Sequence, residues 1–113
     1  METTGAVRVV PTVRWPSGDS VPLAWLTLTA ADFAERYGEV FGRTYDEQLG
    51  AASLLALCYD LEEIWFLDYD DSPEPGLAVY VDALADKPAL WEILKQSLAL
   101  TPADYSWVVD FQH

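Results

Sequence analysis

Two short apolar runs flanking an acidic, proline-broken turn most narrow what this chain can fold into. Ile64-Trp65-Phe66-Leu67 is continuously apolar and aromatic, and residues 77–81 form a second apolar run. Between them stands Asp68-Tyr69-Asp70-Asp71-Ser72-Pro73-Glu74-Pro75-Gly76, whose Pro and Gly residues end either element. The pattern predicts a β-hairpin with a central first strand, because a strand apolar at every position has no face to give to water.

Flanking segments add to this hairpin. The Val-rich stretch 6–15 is interrupted by Pro11 and predicts an edge strand or two extended pieces, since Pro cannot donate to a central ladder. After a turn at Pro16-Ser17-Gly18-Asp19, residues 21–28 predict a second extended segment. Thr29, with Asp32 three residues on, predicts the N-cap of a helix over 30–41, with Phe33, Tyr37 and Phe41 on one face and Gly42 as its stop. Thr44-Tyr45-Asp46-Glu47 has the S/T-x-x-E form of a capping box and predicts a second helix through Leu49, Ala52, Leu54, Leu55, Ala56, Leu57 and Cys58, buried because it is apolar nearly all round. Asp86 predicts a third cap, with Pro88 in the first turn and Leu90, Trp91, Leu94 and Leu98 on one face. Thr101-Pro102 then leads to a terminal strand over 105–111. The expected fold is a single α+β domain over residues 1–113, a mixed or mostly antiparallel sheet of four to five strands packed with three helices.

Charge narrows the function. The chain of 113 residues carries 19 acids against 6 Lys and Arg, a net charge of −13. A surface of this sign repels phosphate backbones and anionic lipid and favours basic proteins or cations. Between Arg43 and Lys87 there is no basic residue, while 11 acids fall in that stretch. Tyr45, Tyr59, Trp65, Tyr69 and Tyr80 lie among them as candidate aromatic anchors. Like charges on a small domain lower its stability, so an excess of this size suggests an interface shaped to a basic partner. The alternative is a solvated acidic face on an adaptor or structural module.

Catalytic chemistry finds little support. The only His is His113, so no Ser/His/Asp or Cys/His set has an internal base. Cys58, in an apolar run, reads as an inert core thiol. Glu62 and Glu63 are neighbours, and on a strand they point to opposite faces. The lone cysteine suits a reducing compartment, and the start of the chain shows no charged segment followed by a long apolar one, so a soluble, cytoplasmic protein is expected. Asp68, Asp70, Asp71 and Glu74 are oxygen donors suited to a hard cation, an alternative without EF-hand spacing.

Two resemblances attach to particular strings. The apolar run ending in Asp68-Tyr69-Asp70 is similar to the first motif of haloacid-dehalogenase-type phosphotransferases, but no downstream Lys plus acidic pair completes such a site. Residues 32–46, Asp-Phe-Ala-Glu-Arg-Tyr-Gly-Glu-Val-Phe-Gly-Arg-Thr-Tyr-Asp, resemble the helix, aromatic-Gly turn and capped second helix of the barstar family of ribonuclease inhibitors. There the turn and the start of the second helix plug the nuclease active site, which implies that role for Phe41, Gly42, Tyr45 and Asp46. Aligned on Phe41-Gly42, the family's second-helix Asp falls at Gly50 and the aromatic before it at Leu49. The expectation is a non-enzymatic immunity protein or antitoxin, without cofactor or metal, that occludes a cognate basic toxin through Phe41, Gly42, Tyr45, Asp46 and Glu47, helped by Asp68, Asp70 and Asp71.

Overall fold

A computed structural model describes residues 8–10, 20–39, 41–47, 50–59 and 62–109. Its strands are β1 (Arg8–Val10), β2 (Ser20–Leu26), β3 (Gly42–Asp46), β4 (Gly50–Tyr59), β5 (Glu62–Tyr69), β6 (Leu77–Asp82) and β7 (Tyr105–Val108). Helix α1 (Ala30–Tyr37) follows β2, and α2 (Lys87–Leu98) links β6 to a 3-10 turn, Pro102–Asp104, that leads into β7. All described pairings are antiparallel. The sheet order is β1-β4-β5-β6-β2-β7, with β3 also on β4. Because β3 pairs with 50–54 and β1 with 56–58, these two strands lie end to end along one edge of β4.

This overturns the expected arrangement of three helices and four to five strands. The fold is α+β, but it is sheet-dominated, with seven strands and two α-helices among the described residues. The predicted second helix is instead the β3–β4 hairpin. Along β4, Ala52, Leu54 and Ala56 enter one apolar layer while Leu55 and Leu57 enter the other. A strand buried on both faces is apolar at every position, and in sequence it looks like a buried helix. Thr44 and Glu47 form no capping box: Thr44 is paired with Ala52 in the ladder. Gly50, at φ 93°, begins β4 from the left-handed region that glycine reaches at little cost.

The core layer holds Leu23, Leu26, Leu55, Leu57, Ile64, Phe66, Leu77, Val79 and Val81 from the sheet, covered by Phe33 of α1 and by Leu90, Trp91, Leu94 and Leu98 of α2. The expected apolar face of α2 is therefore the packed one, and Asp86 caps the helix by accepting from the Ala89 amide at 3.2 Å. Thr29 and Asp32 form a reciprocal capping box on α1, the Thr hydroxyl accepting from the Asp32 amide and the Asp carboxylate from the Thr29 amide, each at 3.1 Å. The helix is shorter than its aromatic spacing predicted. Gly38, at φ 76°, takes the left-handed C-cap and donates to the Ala34 carbonyl at 2.8 Å. Phe41 reaches Phe33 from beyond the helix, edge-on with ring centroids 5.7 Å apart. The Tyr37 hydroxyl donates to the Leu98 carbonyl at 2.6 Å, tying α1 to α2.

The hairpin predicted at 64–81 is present as β5 and β6, and β5 is interior to the sheet. Of the predicted strand at 6–15 only β1 is described, and of the terminal strand β7 ends at Val108; residues 6–7, 11–15 and 110–111 lie outside the described residues. Pro22 sits in β2 beyond the reach of β7, whose register on β2 runs only from Ala24 to Leu26, so its missing N–H costs no ladder bond on that side.

Leu94 is fully buried, whereas Leu84 is 93% exposed on the turn after β6. Replacing Leu94 by Ala is expected to lower unfolding free energy by about 2–5 kcal/mol. Leu84→Ala should stay within about 0.5 kcal/mol. Urea melts of both variants check the packing.

Candidate acidic interface at one end of the sheet

The antiparallel connections sort the acids between the two ends of the sheet. Glu62, Glu63, Asp82 and Asp86 lie where β5 begins and β6 ends; Glu47, Asp68, Asp70, Asp71 and Glu74 lie where β3 and β5 end. The 11 acids between Arg43 and Lys87 therefore do not make one face.

At the second end, β4 brings two turns together. Tyr45 pairs with Ala51 on one side of β4, and on the other side the Asp70 amide donates to the Ala51 carbonyl at 3.0 Å. The turn after β3 thus stands beside the turn after β5. Ser72 stiffens the latter, its amide donating to the Tyr69 carbonyl at 3.2 Å and its hydroxyl to the Glu74 carbonyl at 2.7 Å. The Asp71 carboxylate leans toward Gly50 at the other turn.

Arg43, placed at the border of the acid-only stretch, belongs to this end in space. It pairs with Ser53 across the hairpin, and Ser53 pairs with Asp68 on the far side. Its guanidinium donates to the Ser53 hydroxyl at 2.9 Å and grips Asp70 with both terminal nitrogens, one of them at 3.0 Å. This two-pronged bond holds the Asp70 carboxyl below its ordinary range and raises the Arg43 guanidinium. Asp68 accepts from the Ala30 amide at 2.8 Å, at the positive end of α1. Both carboxylates are engaged inside the protein.

The proposed contact residues consequently differ in accessibility. Tyr45 is 68% exposed, and Glu47 and Asp71 are exposed. Asp70 is exposed but clamped, and Asp68 is half-buried on α1. Phe41 packs on Phe33, and Gly42 is a ladder residue opposite Leu54, so neither presents a side chain for docking. Asp46 pairs with Gly50 in backbone register, and its side chain lies outside the described residues. Of the other aromatics, Trp65 is buried and Tyr69 and Tyr80 are half-buried, all on the second sheet face; the Tyr59 side chain is not among the described ones. The plug implied by the barstar resemblance needs a helix at 44–58, where this chain has strands. Among the described residues, no group of three or more His, Cys, Asp or Glu side chains is arranged to hold a metal ion, and no helix is long and apolar enough to cross a membrane.

A second polar cluster joins α1 to the turn before β7. Asp104, 8% exposed, accepts from the Thr101 amide at 2.9 Å and the Thr101 hydroxyl at 3.2 Å, and it meets the Arg36 guanidinium at 3.2 Å. The Thr101 amide first, and then Arg36, hold its carboxyl below the ordinary range. Thr101-Pro102-Ala103-Asp104 has the S/T-x-x-acid spacing that flags such a motif in sequence. The Arg43 clamp has no such signal, since Asp70 is 27 residues away.

No protein-family model, curated protein or solved structure matches the chain.

A carboxyl depressed on folding stabilises the protein above its unfolded value and loses that contribution as pH falls through the folded value. Asp104→Asn should therefore cost roughly 1–3 kcal/mol at neutral pH. The gap to wild type should close in acid, below about pH 4. Chemical denaturation of both proteins from pH 7 to pH 2 measures it.

Proposed function

We propose that the protein is a non-enzymatic inhibitor, an immunity protein or antitoxin, that neutralises a cognate bacterial toxin with a basic cleft. The reading rests on one observation above all: Tyr45, 68% exposed, adjoins the turn that carries Glu47 and lies across β4 from the turn that carries Asp71 and Glu74, and none of these three acids has a cationic partner among the described ion pairs. An aromatic anchor rimmed by carboxylates suits the active site of a nuclease or another effector that binds anions. The carboxylates take the place of phosphates and steer association, and the ring fills a desolvated pocket. Arg43 and Ser72 brace the turn after β5 before the partner arrives, which reduces the ordering cost of binding.

Occlusion by such a surface needs no catalytic group on this chain. A toxin with a nuclease-like cleft would meet Tyr45 and Glu47 from the β3 turn and Asp71 and Glu74 from the β5 turn, while Asp68 and Asp70 hold the platform. Of the contact set inferred from the sequence this keeps Tyr45, Glu47 and Asp71, and it adds the exposed Glu74.

Affinity capture from the native host at low salt, with release at about 1 M salt where the Debye length falls to ~3 Å, should yield one basic effector whose activity the protein inhibits. Tyr45→Ala and the double variant Glu47→Lys/Asp71→Lys should each weaken inhibition at least about tenfold, as expected of an anchor and of reversed steering charges. An acidic adaptor would bind without inhibiting. Unchanged inhibition by both variants would remove this surface from the mechanism.

A further inference from the structure

The sheet has two apolar faces, and both helices lie on one of them. Phe33 of α1 and Leu94 of α2 belong to the layer that holds Leu55 and Phe66. The other face carries Ala52, Leu54, Ala56, Trp65, Leu67 and Ala78. Among the described residues no helix lies on it, yet Leu54 and Leu67, ladder partners on that face, are each only 1% exposed. Side chains closed to this degree on the face of a sheet need a further layer in contact above them. We propose that residues 11–19 of the same chain, Pro-Thr-Val-Arg-Trp-Pro-Ser-Gly-Asp, supply that layer by crossing this face between β1 and β2. The inhibitory reading uses the turns at the end of the sheet and does not depend on this cover.

Strand direction makes a crossing necessary. The successive antiparallel pairings from β1 through β4, β5 and β6 to β2 leave β1 and β2 parallel and four strand spacings apart. Parallel strands cannot be joined by a tight hairpin. Nor can β1 simply run on along its edge, because Val10 lies opposite Ala56 and Gly42 of β3 already stands opposite Leu54.

Handedness selects the face. The connections β2-α1-β3 and β6-α2-β7 also join parallel strands, and both place their helix on the same face. The first moves toward the edge held by β1 and β3, and the second moves away from it along the opposite strand direction, so the two have the same hand. The passage from β1 to β2 keeps the strand direction of the first and moves the other way. Such crossovers are nearly always right-handed, and one hand for all three puts residues 11–19 on the face opposite the helices.

The length fits this route. Val10, Ala56, Trp65, Tyr80 and Pro22 stand in one row across the strands, a span of about 19 Å at ~4.8 Å per strand. The nine residues between β1 and β2 reach at most about 30–36 Å, enough to clear the side chains of a face without helices. Passing outside a helix about 10–12 Å thick and returning would bring the path to roughly 40 Å, beyond that reach. Within 11–19, Val13 and Trp15 are two apart, and on an extended segment they share one side while Arg14 takes the other.

A face covered in this way is closed to a partner. Nuclear Overhauser effects on the isotopically labelled full chain should join the Val13 methyls and the Trp15 ring to Leu54, Trp65 or Leu67. In a mixture of labelled and unlabelled chains those contacts should stay within one chain. Trp15→Ala should raise the broadening of the Leu54 and Leu67 methyls by a soluble paramagnetic agent several-fold, whereas Leu84→Ala, on an exposed turn, should leave it unchanged. Leu54 and Leu67 open to the agent in the wild-type protein, or covered by other residues or by a second copy, overturn the proposal.

Discussion

Everything distinctive about this fold depends on β4 being buried on both faces and paired on both edges. Along the ten residues of Gly50–Tyr59, Leu55 and Leu57 enter the apolar layer under the helices and Ala52, Leu54 and Ala56 the one on the opposite face. Each edge must also be covered, because an unpaired amide inside such a layer loses its hydrogen bond without water to replace it. β5 covers one edge along its length, while β3 and β1 share the other. The connection between β3 and β4 therefore lies beside the one between β5 and β6. The acidic end of the sheet follows from strand pairing, and no charge–charge attraction is needed to assemble it.

Net charge alone overstates how much of this acidity is free. Asp32, Asp68, Asp82, Asp86 and Asp104 each accept a backbone N–H, and Asp70 is bound by Arg43. These aspartates close helix starts and turns, where a short carboxylate satisfies an amide that the backbone leaves unpaired. At the β3 and β5 turns, the exposed Glu47, Asp71 and Glu74 are in none of the described ion pairs. The engaged acids are thus those with a backbone amide, or for Asp70 the Arg43 guanidinium, within reach.

The sequence was most legible where the cause is local. The caps at Thr29 and Asp86 and the apolar face of α2 depend on residues three or four positions apart, and each stands as the spacing predicted. The turn between β5 and β6 was equally plain, because two prolines and a glycine leave few alternatives. Residues 44–58 misled because Thr44 and Glu47 mimic a cap and because a doubly buried strand has no alternation to display. Gly50, within the expected helix, was the contrary signal; a glycine there weakens a helix but opens a strand at positive φ. Of the candidate site, Tyr45 and Glu47 emerged for a mistaken structural reason, as the start of a helix. The partners of Asp68 and Asp70, 38 and 27 residues distant, could be found only after the strands were in register.

The adjacency of the two acidic turns across β4 is the central claim, and nuclear Overhauser effects measured on the isotopically labelled protein test it most directly. Residues 44–46 and 50–58 should show strand-type carbon shifts, with cross-strand contacts joining Tyr45 to Ala51 and Ala51 to Asp70. Helical shifts over 44–58, with contacts between residues three apart and none between Ala51 and Asp70, would contradict the account.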